Sequence, residues 1–186
     1  LNIRRRTGAQ KQGFMRRWFL SLMLAVLLLA ALAALLLIQP TGYTHFQLGD
    51  ADTGRRLLAT VLSNGELITL TWQNSIFQQP VVEIFYADEG RLILDRVAFL
   101  DPQGVYEMPV QPSDVAELYH TGGPFAAAGL ARPYQQVIFR IGEIGDPKMA
   151  VQGRAVALKQ EVGFGGRVRL DARRASALEI MWRFIR

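Results

Sequence analysis

Two hydrophobic rhythms divide the chain. From Trp18 to Ile38 it reads WFLSLMLAVLLLAALAALLLI, twenty-one residues without a charge. From residue 46 apolar and polar positions alternate in short runs broken by turn residues. A helix over 18–38, rising about 1.5 Å per residue, is roughly 31 Å long and matches the ~30 Å hydrocarbon core of a bilayer. The first rhythm therefore predicts a transmembrane helix. A cleavable signal has a shorter apolar region, about 7 to 15 residues, followed by a small-residue cleavage site. Cleavage after Ala31-Leu32-Ala33 would leave a greasy new terminus from Ala34 to Ile38, so the segment reads as an uncleaved signal anchor.

The second rhythm predicts strands. In ELITLTW, Ile68, Leu70 and Trp72 share one face; in RVRLD, Val168 and Leu170 point inward between Arg167, Arg169 and Asp171. PVVEIFY, RLILDRVAF, QVIFRIG and RAVALK are also short, β-branched or aromatic, and bounded by turns such as DADTGR, SNGE, ADEGR and GFGGR. Regular short strands of this kind predict an all-β fold, an antiparallel sandwich or barrel-like domain, with one short helical insertion. The organisation expected is a tail over 1–17, the span over 18–38, a linker over 39–45, a β-rich domain over 46–171 and an amphipathic extension over 172–186. In that extension Leu178, Met181, Trp182 and Ile185 fit a helical stripe, while Leu178, Ile180, Trp182 and Phe184 fit a strand. Its aromatic residues beside arginine suit an interface or a membrane surface; a last core strand is the alternative.

Charge sharpens the topology. The chain carries +5 overall, but residues 1–17 hold Arg4, Arg5, Arg6, Lys11, Arg16 and Arg17 and no acid, which leaves −1 for the remainder. Basicity confined to a tail ahead of an apolar run is a membrane pattern, not a nucleic-acid-binding face. By the positive-inside rule the tail is cytoplasmic and the β-rich domain lies outside, in the periplasm, on a single-pass inner-membrane protein. Within the span Ser21 and Ala25, and Ala30 and Ala34, stand four apart, a spacing that lets helix backbones approach closely in lipid.

The stretch LYHTGGPFAAAG, residues 118–129, is the most site-like on inspection. Asp114 and Glu117 read as the capping box of a short helix ended by Gly122 and Gly123, with a second helix able to start at Pro124. Glycines that follow a helix sit at its negative end, which disfavours a phosphate loop. No cysteine, G-x-S-x-G elbow or dense ligand set accompanies His120. No cofactor or metal is therefore expected, and Tyr119, His120, Thr121, Gly122, Gly123, Pro124 and Phe125 read as a partner-docking corner. DADTG departs from a calcium loop at its fifth and twelfth positions, Gly54 and Val61, and reads as a hairpin turn.

The run TGRRLLATVLSNGELITLTWQNSIFQQPVVEIFYADEGRLIL, with Asn74, Ser75, Ile76, Pro80, Val81 and Glu83 in it, resembles a small bacterial domain family of unknown function encoded beside TAXI-type TRAP transporters. Many members of that family carry histidine where this chain has Asn74. LYHTGGPF, FRIGEIGDP and VGFGGR resemble a membrane-anchored branch of the same family, and the likeness spans roughly residues 46–171. The resemblance implies an accessory, non-catalytic subunit of an ion-driven, binding-protein-dependent transporter. Its partners would be a multispanning permease, the periplasmic substrate-binding protein and the lipid bilayer, and not nucleic acid. Two alternatives stand beside it: a membrane-tethered periplasmic enzyme using His120, and a ligand-binding module.

Overall fold

A computed structural model describes residues 6–37, 40–101, 103–105, 108–109, 111, 113–115, 119 and 123–185. The chain divides into two compact units, Leu1–Gln39 and Pro40–Arg186.

The first unit is one helix, α1 (Arg6–Leu37). Its segment Trp18–Leu37 has a mean hydropathy of 2.9 and no part of it is buried against protein. It is long and apolar enough to cross a membrane, a property shared by anchors and signal sequences. Ser21 and Ala25 fall on one side of this helix and Ala30 and Ala34 on the other, since nine residues at about 100° each make two and a half turns. The two small pairs are separate faces.

The second unit is mostly antiparallel β-sheet. Its strands are β1 (Pro40–Asp50), β2 (Arg56–Leu62), β3 (Leu67–Gln73), β4 (Pro80–Asp88), β5 (Arg91–Phe99), β6 (Met108–Pro109), β7 (Phe125–Ala127), β8 (Arg132–Tyr134), β9 (Gln136–Arg140), β10 (Lys148–Val151), β11 (Arg154–Ala157) and β12 (Arg167–Ser176). Two helices follow late in the chain, α2 (Leu158–Val162) and α3 (Ala177–Ile185). One sheet has the order β2-β1-β12-β9. The other runs β11-β10-β3-β4-β5, with β7 and β8 both pairing β5 and β6 lying parallel to β7. Phe46, Leu48, Leu62, Val168 and Leu170 of the first sheet join Ile68, Val81, Phe85, Val97 and Phe99 of the second in one buried cluster. The period-two faces read from the sequence are the faces that meet: Ile68 and Val168 are fully buried, and Leu70 and Leu170 nearly so.

The β4–β5 hairpin ties the sheets together. Asp88 pairs with Arg91 across the two residues Glu89 and Gly90, both at positive φ, as a tight right-twisting hairpin requires. Gly90 N–H donates to the buried Thr44 hydroxyl at 2.9 Å, and Arg174 bridges to Glu89 at 2.7 Å. A Cβ on Gly90 would stand 2.3 Å from the backbone nitrogen of Arg174, so only glycine fits this approach.

Three sequence expectations change. Most of the linker expected over 39–45 is strand, because β1 begins at Pro40 and pairs with the end of β12, Pro40 opposite Ser176 and Thr44 opposite Arg174. Its first residues lack apolar alternation, so only pairing reveals them. The last strand likewise runs past residue 171 to Ser176, and the extension from there is helix. Ser176 and Glu179 form a capping box: Ser176 N–H donates to Glu179 Oε2 at 2.9 Å, and Glu179 N–H donates to Ser176 Oγ at 3.3 Å. Finally, no helix starts at Pro124; Phe125–Ala127 is strand, drawn to the free edge of β5.

Candidate functional site

Strand β4 carries a carboxyl where its alternation calls for an apolar side chain. Val81, Glu83 and Phe85 share the inward face, opposite Trp72, Leu70 and Ile68 of β3. Pro80, which has no N–H to give the ladder, opens the strand, as proline is permitted to do. Glu83 is held by two donors that converge on one oxygen. The Trp72 indole N–H donates to Oε1 at 3.2 Å and the Tyr119 hydroxyl donates to the same atom at 3.3 Å. Burial raises the Glu83 carboxyl above the usual range, and these two bonds offset only part of that. Indole can only donate, so Oε1 is committed as an acceptor and a proton on this carboxyl belongs on Oε2. The Tyr119 hydroxyl is in turn pushed up by its burial and by the neighbouring Glu83.

Behind the carboxyl lies an aromatic wall. Trp72 and Tyr119 stack face to face at 6.4 Å, Phe99 meets both edge-on, and Phe125 stacks on Phe99 at 4.5 Å. In front of it a cavity of about 600 Å³ opens between the two sheets. Leu70 and Phe85 wall it from one sheet, Val137, Phe139 and Leu170 from the other. Trp72 and Glu83 also line it, Gln73, Ser75, Arg140 and Glu143 bring further polar groups, and Gly142, Ile144, Gly145 and Pro147 complete the lining. The loop 142–147 is tied down: Gln73 N–H donates to the Gly145 carbonyl at 2.7 Å, and the Lys159 ammonium donates to the Glu143 carbonyl. The arrangement fits a small organic guest, since pockets of this size with apolar walls and few polar groups are the usual form of such sites.

The docking corner proves to be two kinds of residue. Phe125 is 3% exposed and Tyr119 packs on the core, so neither offers the exposed apolar anchor expected of it. The reason is that a large aromatic next to a strand edge gains more from burial between sheets than from waiting at a surface. Gly123 N–H donates to Gln79 Oε1 at 3.1 Å, so this amide is already engaged. Pro124 is half-buried beside it. His120, Thr121 and Gly122 lie outside the described residues.

Two of the residues that carry the family resemblance reach the cavity. Glu83 and Ser75 both line it. Asn74 is buried, and its Oδ1 accepts from the N–H groups of Ile76 and Phe77 at 2.9 and 3.2 Å, holding the turn that presents Ser75. Asn74 is thus a turn residue, and Pro80 sets the strand that aims Glu83 inward. The contact between Tyr119 and Glu83, thirty-six positions apart, joins the two sets of sequence candidates. Arg140 and the 142–147 loop were not among the candidate residues. Their one signal in the sequence is the glycine spacing of IGEIGDP. Near residue 50, DADTG is the expected hairpin turn: Asp50 accepts from Asp52 N–H at 2.8 Å and from the Thr53 hydroxyl at 2.6 Å.

Comparison with protein-family models, curated proteins and solved structures returns no match to this chain.

Proposed function

We propose that the chain is a membrane-tethered, non-catalytic ligand-binding module, a two-sheet sandwich that holds a small, mostly apolar molecule between its sheets. The cavity in front of Glu83 carries this reading. Its apolar walls suit the body of the guest, and Glu83 in its protonated form donates from Oε2 to an oxygen of the guest. Arg140, near the same cavity, suits a guest that ends in a carboxylate. The anchor holds the module in the inner membrane, N-terminus in the cytoplasm and β-rich domain in the periplasm. In the setting that the family resemblance implies, the module is an accessory subunit of a TAXI-type TRAP transporter, beside its permease and its substrate-binding protein.

The neutral fluorophore 1-aminoanthracene serves as probe for the cavity. The β-rich unit from Pro40 onward should brighten it in a saturable way. Val137→Trp, which fills the cavity, should abolish that gain while the thermal melt stays within a few degrees of the parent. Brightening unaffected by Val137→Trp would defeat the binding reading. The transporter setting has its own test: in mild detergent the full chain should co-purify a multispanning permease, and its isolation alone counts against that setting.

A further inference from the structure

Helix α3 sits on the domain the wrong way round for a surface helix. Its charged side is docked. Glu179 reaches Arg173, and its Oε1 stands 3.1 Å from Nδ1 of His45; Arg183 bridges to Glu66 at 3.3 Å. Leu178, Met181 and Trp182 share one arc of about 100°, centred about 130° away from Glu179 and Arg183, and they are 37%, 44% and 55% exposed. An amphipathic helix in water buries its apolar stripe and shows its charges. Here the ion pairs are spent on the domain, and the apolar stripe is left outward.

The position of α3 says what covers that stripe. Ser176, its capping residue, pairs with Pro40 at the start of β1. Leu37, the end of the apolar helix α1, is three peptide steps from Pro40, at most about 11 Å of chain. With α1 across a bilayer, as the proposed function has it, α3 begins within reach of the headgroup layer. Tryptophan with leucine and methionine on one helix face is the composition of segments that lie in that layer. Arg173, Arg174 and Arg183 are each engaged with a carboxylate, on Glu179, Glu89 and Glu66. Attraction to anionic headgroups is therefore weak, and the contact is apolar.

We infer that α3 is a second membrane contact, lying in the interface of the bilayer that α1 crosses, with Leu178, Met181 and Trp182 in the acyl–headgroup boundary. This rests on the anchor reading and goes beyond it. The chain has no cysteine, so a single label reports one place. Full-length Met181→Cys, carrying an NBD fluorophore, is reconstituted in phosphatidylcholine vesicles, with exposed Gln103→Cys as the control. Lipid with a shallow doxyl quencher should remove most of the emission at 181 and little at 103, equally at low and high salt. Leu178→Cys repeats the measurement where labelling at 181 disturbs the helix. Floating vesicles that carry the protein without quenching at 178 or 181 overturn the inference and leave the anchor standing. Protein that does not float overturns both. Cross-linking of two copies at 181 without lipid quenching assigns the face to a second chain instead and overturns the membrane contact.

Discussion

Glu83 shows how one residue sets the character of a site. Its neighbours along and across the strands, Val81, Phe85, Leu70 and Val97, are what a sheet interior ordinarily holds. A carboxyl among them costs stability whenever it is charged, because burial disfavours the ion. Its folded-state affinity for a proton is raised, so the cost is absent below the ordinary glutamate range and complete above the folded value. Glu83→Gln keeps an acceptor for Trp72 and Tyr119 and removes the charge. The variant should melt higher than the parent at about pH 8, and the gain should shrink to nothing near pH 4, close to the unperturbed value. A gain that does not change with pH would mean that Glu83 binds its proton equally well folded and unfolded, and that the effect is packing alone. The place of so costly a group in the cavity lining is what makes it the centre of the proposed site.

At the scale of the element, α3 depends on its cap. A nine-residue helix is too short to persist on propensity, so the Ser176–Glu179 box and the ion pairs must hold it. The Arg173 guanidinium and the Ser176 amide keep the Glu179 carboxyl well down, to about 2. A depressed acid stabilises the fold above its unfolded value and loses that contribution as pH falls towards its folded one. Protection of the α3 amides from hydrogen exchange should therefore decline between about pH 4.5 and about pH 2. Burial and the Arg173 charge also disfavour the protonated form of His45, which adds a second, milder loss as pH falls below the ordinary imidazole range. Ser176→Ala should cost α3 about 1 kcal/mol of local stability at neutral pH. Unchanged exchange in that variant would show that packing on β1 and β2 suffices without the cap.

For the whole molecule, the two units have separate reasons to exist. The apolar segment Trp18–Leu37 is exposed and long and apolar enough to cross a membrane, whereas the unit from Pro40 closes its own core between two sheets. A chain beginning at Pro40 should therefore be soluble. It should keep the near-ultraviolet dichroism of the Trp72–Tyr119 stack and melt cooperatively. Aggregation, or loss of that signal, would show that the β-rich unit leans on the segment before it. The same experiment fixes whether the cavity can be studied apart from lipid.

The apolar span, the strands with clean alternation and the turns between them were legible in the sequence because each is a local matter: charge-free length, period two, and residues that accept positive φ. ELITLTW and RVRLD needed no partner to declare which side faces in, whereas PVVEIFY is apolar on both parities and only packing set Val81, Glu83 and Phe85 inward. What could not be read there were the outcomes of pairing. The first residues of β1 and the short strands β7 and β8 exist because an unpaired edge stands next to them, and no pattern within them says so. The orientation of α3 turned on ion pairs to residues as distant as Glu66, and Tyr119 and Phe125 turned to the core because distant strands offered apolar surface to bury against. The cavity is the furthest from the sequence, since it is the space two sheets leave between β3–β4 and β9–β12, and empty volume has no residues of its own.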